Sequence, residues 1–262
     1  MPELPDVEVY KRYLDSSALH QRIDHVHVES PEILSGTTPQ GLGRALKGQS
    51  FDTSCRHGKY LFIALDKTGW LVLHFGMSGR LDYFKHNNGE PDYTRCLFSF
   101  DNGFDLAYIA PRKLGHVALT NKAQSFIINH MLGPDAYGLS EAQFLALAAG
   151  HHGTIKGWLM NQKIMAGIGN IYSDEMLFRT GIHPKQSMDK VDQNALKRLY
   201  NALHSVLETA INAQADPGRM PSSFLLSHRK AGEHCPKCGT EIAMIKVSGR
   251  SAWYCPSCQQ LK

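Results

Sequence analysis

No apolar run in the 262-residue chain approaches the roughly 20 residues that would span a bilayer, and the N-terminus lacks the basic-then-apolar order of a secretory signal. A membrane partner is not expected, and a cytoplasmic or nucleoid location is. Internal repeats and low-complexity tracts are missing as well, which argues against a solenoid. Charge of one sign is in short supply: 28 Lys/Arg stand against 24 Asp/Glu, and a net +4 dictates no partner. Cysteine is sparse, with six in the chain, and in a cytosolic protein such thiols serve as metal ligands or remain free rather than forming disulfides. The length suffices for one or two domains with a real core.

What is present is unevenly placed. Pro217 to Lys262 holds seven Lys/Arg and two acids, leaving 21 basic and 22 acidic residues before it. The tail could therefore face a polyanion, or be a solvated basic end. Val7, Tyr10 and Leu14 recur at helical spacing after Pro5, and this helix should stop before Asp15-Ser16-Ser17. From about His25 to Thr120 the period becomes two, with strands expected at 25–28, 60–65, 70–75, 97–100 and 104–109, and turns at Arg56-His57-Gly58, Asp66-Lys67-Thr68-Gly69 and Asp101-Asn102-Gly103. That pattern predicts a β-sandwich. The second half reads as helical. A capping box at Ser140 and Gln143 opens one helix, 154–166 forms another, a break at Gly167-Ile168-Gly169-Asn170 precedes a third over 171–180, and 190–213 is the strongest. The fold class is thus α+β.

Three stretches carry chemistry. The first is the chain start, Met1-Pro2-Glu3-Leu4-Pro5-Asp6. If Met1 is removed, Pro2 becomes a free secondary amine beside a carboxylate. An α-amine titrates near pH ~8, against ~10.4 for lysine, so far more of it is neutral and nucleophilic at neutral pH. Attack on a sugar C1′ would give an iminium ion, with a nearby carboxyl to protonate an oxygen. The plainer possibility is that Pro5 merely starts a helix behind a leader. The second stretch is the break at 167–170, where backbone N–H groups at a helix start, with the Asn170 amide, could take a phosphate; glycine turns between helices are also common. The third is Cys235-x2-Cys238-x16-Cys255-x2-Cys258, the spacing of a four-thiolate zinc ribbon with one structural zinc, since four sulfurs leave no open position. Between the knuckles Ser248-Gly249-Arg250 puts an arginine at a hairpin tip, placed to fork onto a phosphate or simply solvated.

MPELPD at the start, His57-Gly58-Lys59-Tyr60, His74-Phe75-Gly76-Met77-Ser78-Gly79, Pro111-Arg112-Lys113-Leu114-Gly115, Gly133-Pro134-Asp135, Gly167-Ile168-Gly169-Asn170-Ile171-Tyr172 and the cysteine quartet, in that order, resemble bacterial formamidopyrimidine-DNA glycosylase, the family that includes endonuclease VIII. The resemblance implies a catalytic β-sandwich with a flanking helix over 1–132, a helix–two-turn–helix domain over 133–220 and a zinc-ribbon hairpin over 221–262, with damaged double-stranded DNA held between the halves of a monomer. It implies a bifunctional glycosylase/AP lyase with Pro2 as Schiff-base nucleophile, Glu3 as acid/base and Lys59 as a catalytic backbone contact. Met77, Arg112 and Leu114 match the residues that fill the gap left by a flipped nucleotide, where wedges offset a few kcal/mol of unstacking. Lys156, Asn170 and Arg250 complete the expected DNA-binding set.

The chain also departs from the family pattern. Asp6 replaces a glutamate, Ala110 an aspartate, and Leu114 an aromatic wedge. The tract between Ile211 and Cys235 is short, and Ser227-His228-Arg229-Lys230 is nearer the endonuclease VIII style. The front half points to oxidised purines, the short tract to oxidised pyrimidines or bulky lesions. A rival from another class is a damaged-DNA-binding protein that kept the clamp without the chemistry.

Overall fold

The computed structural model describes residues 1–261 and forms two compact units, one of residues 1–2 and 6–131, the other of residues 3–5 and 132 onward. The first unit contains most of α1 (Leu4–Ser17), then β1 (Ile23–Val28), β2 (Leu34–Ser35), α2 (Pro39–Leu46), β3 (Phe51–His57), β4 (Tyr60–Leu65), β5 (Trp70–His74), β6 (Arg80–Lys85), β7 (Thr94–Phe100), β8 (Phe104–Ile109), β9 (His116–Thr120) and α3 (Ala123–Asn129). These strands make two sheets, ordered β1-β7-β8-β6 and β2-β9-β5-β4-β3. Alternation does the sorting. Leu61 and Ile63 of β4 join Leu71 and Leu73 of β5 in the core with Phe98, Leu106 and Tyr108, while Phe62 and Val72 point the other way, toward Phe126 of α3. Phe51 meets Phe98 and Phe100 edge-on at 5.8 Å, an orientation suited to the ring quadrupole. The β-sandwich is therefore as expected.

Helix α1 runs on through Asp15-Ser16-Ser17, because Ser16 and Ser17 hydroxyls bond back to the Tyr13 carbonyl and Asp15 accepts from Lys11. The period-two reading passed over α2, although Thr38 caps it through Gly41 N–H and Pro39 opens it.

The second unit holds α4 (Glu141–Ala148), α5 (Ile155–Met160), α6 (Asn170–Thr180), α7 (Gln193–Asn212) and the hairpin of β10 (Ala243–Val247) and β11 (Arg250–Tyr254). The capping box at Ser140 and Gln143 is formed in both directions. Leu199, Leu203, Val206, Leu207 and Ala210 of α7 bury one face against α4, α5 and α6. Helix α5 is shorter than the expected 154–166. It stops at Met160 because Gln162 holds the following segment as a loop, donating to the Met160 and Ile168 carbonyls and accepting from Gly167 N–H.

Candidate active site and nucleic-acid interface

Glu3 is buried, and its carboxylate accepts from the backbone N–H groups of Gly169 and Ile171 at 2.8 Å and Tyr172 at 3.3 Å. These are orphan donors at the start of α6, whose N-cap residue Gly169 has no side chain to serve them. The chain start thus caps a helix far along the sequence, with negative charge at the positive end of its dipole. Leu4 N–H adds a bond to the Gly167 carbonyl at 3.1 Å. Both glycines are needed: a Cβ on Gly167, whose φ is 119°, would lie 2.5 Å from Leu4 Cδ1, and one on Gly169 would lie 2.4 Å from Glu3 Cδ. The expectation of a phosphate on these backbone N–H groups is corrected accordingly, since Glu3 already occupies them. The Asn170 side-chain Oδ1, an acceptor, is buried without a partner among the described residues.

Lys156 corrects a second expectation. It is wholly buried, and its ammonium donates to Asp174, to Ser173 Oγ at 3.1 Å and to the Asn170 carbonyl at 3.2 Å. A side chain without exposed surface makes no direct DNA contact. Burial lowers its pKa, and the Asp174 charge opposes that fall. Arg250 is the opposite case. Ser248 and Gly249 take positive φ of 48° and 73°, the two-residue turn that suits a hairpin, and Arg250 projects from it exposed and without an ion-pair partner among the described residues.

In the first unit the expected DNA-facing residues gather at one end of the five-stranded sheet. The registers His57↔Tyr60, Tyr60↔His74 and His74↔His116 form one lateral row, and the segments bearing Lys59, Met77 and Arg112 with Leu114 lead from that row. Met77 and Leu114 are 41% and 49% exposed, unusual for large apolar side chains. Their turns touch: a Cβ on Gly76 would lie 2.4 Å from the Leu114 carbonyl carbon. His74 stacks on His116 at 4.9 Å, and its pKa falls to about 4 through burial, His116 and the Lys59 charge. Of this row, His57, Tyr60 and His74 lie inside the quoted motifs and His116 borders one, but no role was read for the histidines from sequence.

The Sγ atoms of Cys235, Cys238, Cys255 and Cys258 lie within 4.8 Å of one another, with pairs at 3.5 and 3.9 Å. Zinc with thiolates at about 2.3 Å would hold tetrahedral sulfurs about 3.8 Å apart, so the quartet fits one structural zinc. Lys237 and Cys258 N–H groups point at Cys235 and Cys255 sulfurs at 3.4 Å, orienting them.

Residues 1–117 match the Formamidopyrimidine-DNA glycosylase N-terminal domain, 132–221 the Formamidopyrimidine-DNA glycosylase H2TH domain, and 232–261 the zinc finger found in FPG and IleRS. The chain belongs to the formamidopyrimidine-DNA glycosylase family. That makes it a DNA glycosylase of base excision repair, of the class that also carries AP lyase activity. The Enterococcus faecalis formamidopyrimidine-DNA glycosylase is 32% identical over 279 residues, covering 100% of this chain and 98% of the relative. The Moorella thermoacetica protein is 34% identical over 260 residues, covering 94% and 95%. The structure of Lactococcus lactis Fpg with abasic-site DNA superposes at a TM-score of 0.88 with 28% identity, covering 98% and 99%. That of the wild-type L. lactis enzyme with N7-benzyl-Fapy-dG DNA gives 0.88 and 28%, covering 99% and 100%. The bacterial relatives agree with a chain in which no helix is long and apolar enough to cross a membrane.

Proposed function

We propose that this glycosylase acts as a monomer on damaged duplex DNA in the bacterial cytoplasm and nucleoid, and that Pro2, freed of Met1, is its nucleophile. The observation that carries the reading is the seat of Glu3: the residue after Pro2 is fixed by three backbone N–H bonds in a socket that only glycines leave open. A terminus with a merely passive leader has no need of such a seat.

The neutral Pro2 amine attacks C1′, and the N-glycosidic electron pair leaves with the base. Glu3 takes the proton that the new C1′ ammonium sheds, and returns it to O4′ as the C1′–O4′ bond opens to the iminium ion. Loss of a C2′ proton then expels the 3′ phosphate by β-elimination, δ-elimination expels the 5′ phosphate, and water releases Pro2. Lys59 steadies the backbone beside the lesion, while Asn170 and Arg250 grip phosphates. Met77 and Leu114 fill the vacated stack, and the Arg112 guanidinium reads the orphaned base. The exposure of Met77, Arg112, Leu114 and Arg250 supports these roles. Zinc holds the hairpin and takes no part in bond making.

Borohydride trapping on a duplex with an abasic site tests the reading, with mass spectrometry of the N-terminus and a Pro2→Gly control. A covalent adduct mapped to Pro2 on protein lacking Met1 is expected. Binding without any adduct, by protein that has lost Met1, would replace the enzyme reading with that of a damaged-DNA-binding protein. A panel of oxidised purines, oxidised pyrimidines and bulky adducts then fixes the lesion class.

A further inference from the structure

Asp174, on the second turn of α6, is completely buried, and its carboxylate gathers donors from three separate parts of the second unit. One oxygen takes the Lys156 ammonium of α5. The other takes Arg229 Nη2 at 2.8 Å and the backbone N–H of Trp253 in β11 at 3.1 Å. Lys156 and Arg229 both converge on the Asn170 carbonyl, at 3.2 and 3.5 Å. One carboxylate therefore ties the residue at the helix start to the zinc hairpin.

The hairpin has a second tie at its tip. Ser248 Oγ lies 3.3 Å from Thr154 Oγ1, in a space that Gly157 leaves open, since a Cβ there would sit 2.6 Å from Ser248 Oγ. Arg250 falls between these anchors, two residues after Ser248 and three before Trp253. At about 3.3 Å per strand residue, a slip of β11 by a single residue would carry Arg250 past one phosphate's hydrogen-bonding reach.

Stability alone does not call for this arrangement. Burying Lys156 and Asp174, with Arg229 partly buried beside them, is expensive, and an apolar replacement of such a triad is often as stable or more so. What the charged cluster supplies is register, because donors from α5, from Arg229 and from β11 all meet on the one Asp174 carboxylate. Sequence gave no hint of it: Asp174 sits on a helix face whose charge would ordinarily be solvated, and Lys156 was expected at the DNA.

We propose that Asp174 is a positioning residue for DNA binding, fixing the spacing between Asn170 and Arg250 so that both engage one duplex at once. The inference rests on the reading of Asn170 and Arg250 as phosphate clamps.

The test uses the full zinc-loaded chain and a duplex carrying a tetrahydrofuran abasic analogue. The dissociation constant is measured against salt for wild type, Asn170→Ala, Arg250→Ala, Asp174→Asn and the apolar triple Lys156→Met/Asp174→Leu/Arg229→Met, which keeps a folded variant available if Asp174→Asn unfolds. Arg250→Ala should lower the salt slope by about one, whereas Asn170→Ala removes a neutral donor and should weaken binding with the slope unchanged. Asp174→Asn and the triple should weaken binding about tenfold and also lower the slope by about one, while single-turnover cleavage of a true abasic site at saturating enzyme stays within about twofold of wild type. If Arg250→Ala lowers the slope and folded Asp174 variants do not, the positioning role is overturned and the clamps stand. A lower melting temperature with unchanged affinity and slope overturns it too, leaving a structural ion cluster. If Asn170→Ala and Arg250→Ala both bind as wild type, the clamp reading fails and takes this inference with it.

Discussion

Glu3 caps α6 with the same two oxygens that the proposed mechanism uses for proton transfer. Replacing it by alanine leaves the Gly169, Ile171 and Tyr172 N–H groups without their acceptor, which should cost about 1–3 kcal/mol of stability in denaturant unfolding, as for buried donors left unpaired. Glu3→Gln keeps an acceptor oxygen and should lose about half of that or less. Both should nonetheless lose single-turnover cleavage by about 100-fold or more, because neither can carry a proton to O4′. Equal losses of stability with intact cleavage would show a cap and nothing else. Gly169→Ala probes the same seat from the other side. A Cβ 2.4 Å from Glu3 Cδ forces the carboxylate to move, and cleavage should fall at least about tenfold while the zinc hairpin stays folded.

Helix α6 carries a titration that the sheet carries with the opposite sign. Burial pushes the Glu175 carboxyl up from 4.5 to about 7, although Arg179 and the Leu226 N–H favour its ionised form. Between those two values the folded chain holds a proton that the unfolded chain has released, so this group's contribution falls as pH rises through the window and is flat above it. Glu175→Gln removes the titration. Its unfolding free energy relative to wild type should climb by up to roughly 3 kcal/mol across that window, read by urea unfolding at several pH values. A constant difference would show that Glu175 ionises normally. His74 runs the other way. Its pKa is lowered from 6.5 to about 4, so below 6.5 the unfolded chain takes up a proton that the folded chain refuses. The sheet's stability is whole above pH 6.5 and is lost as pH falls toward 4; His74→Phe should flatten that loss in amide exchange of β5 and β9, where an unchanged acid limb would assign it elsewhere.

For the molecule as a whole, the hairpin is the part with least core of its own. Phe178, Leu225, Cys235, Ile242 and Cys255 make a cluster too small to hold two short strands without the metal. Chelation under mild denaturation should therefore unfold β10 and β11, release the Trp253 N–H from Asp174 and weaken DNA binding, while the β-sandwich keeps its amide protection. Unchanged stability and affinity after proven zinc loss would show that the cysteines do not hold the hairpin.

Local pattern carried much of this protein. Alternation placed β4, β5, β7 and β8, the capping box placed α4, and the cysteine spacing specified the ribbon, because each is a rule about neighbours in sequence. The order of short motifs was enough to indicate the family. What sequence could not decide were pairings across long separations. Gly167-Ile168-Gly169-Asn170 looked like a phosphate cradle and is the seat of Glu3; Lys156 looked like a DNA contact and is buried on Asp174; the 154–166 helix ends at Met160 because Gln162 bonds to a loop that only the fold brings near. In each case a charged or polar group satisfies a backbone or side chain more than a helical turn away, and no periodicity in the sequence records where that partner will be. Composition and spacing determined the elements and the kind of chemistry; tertiary structure decided which donors were already taken.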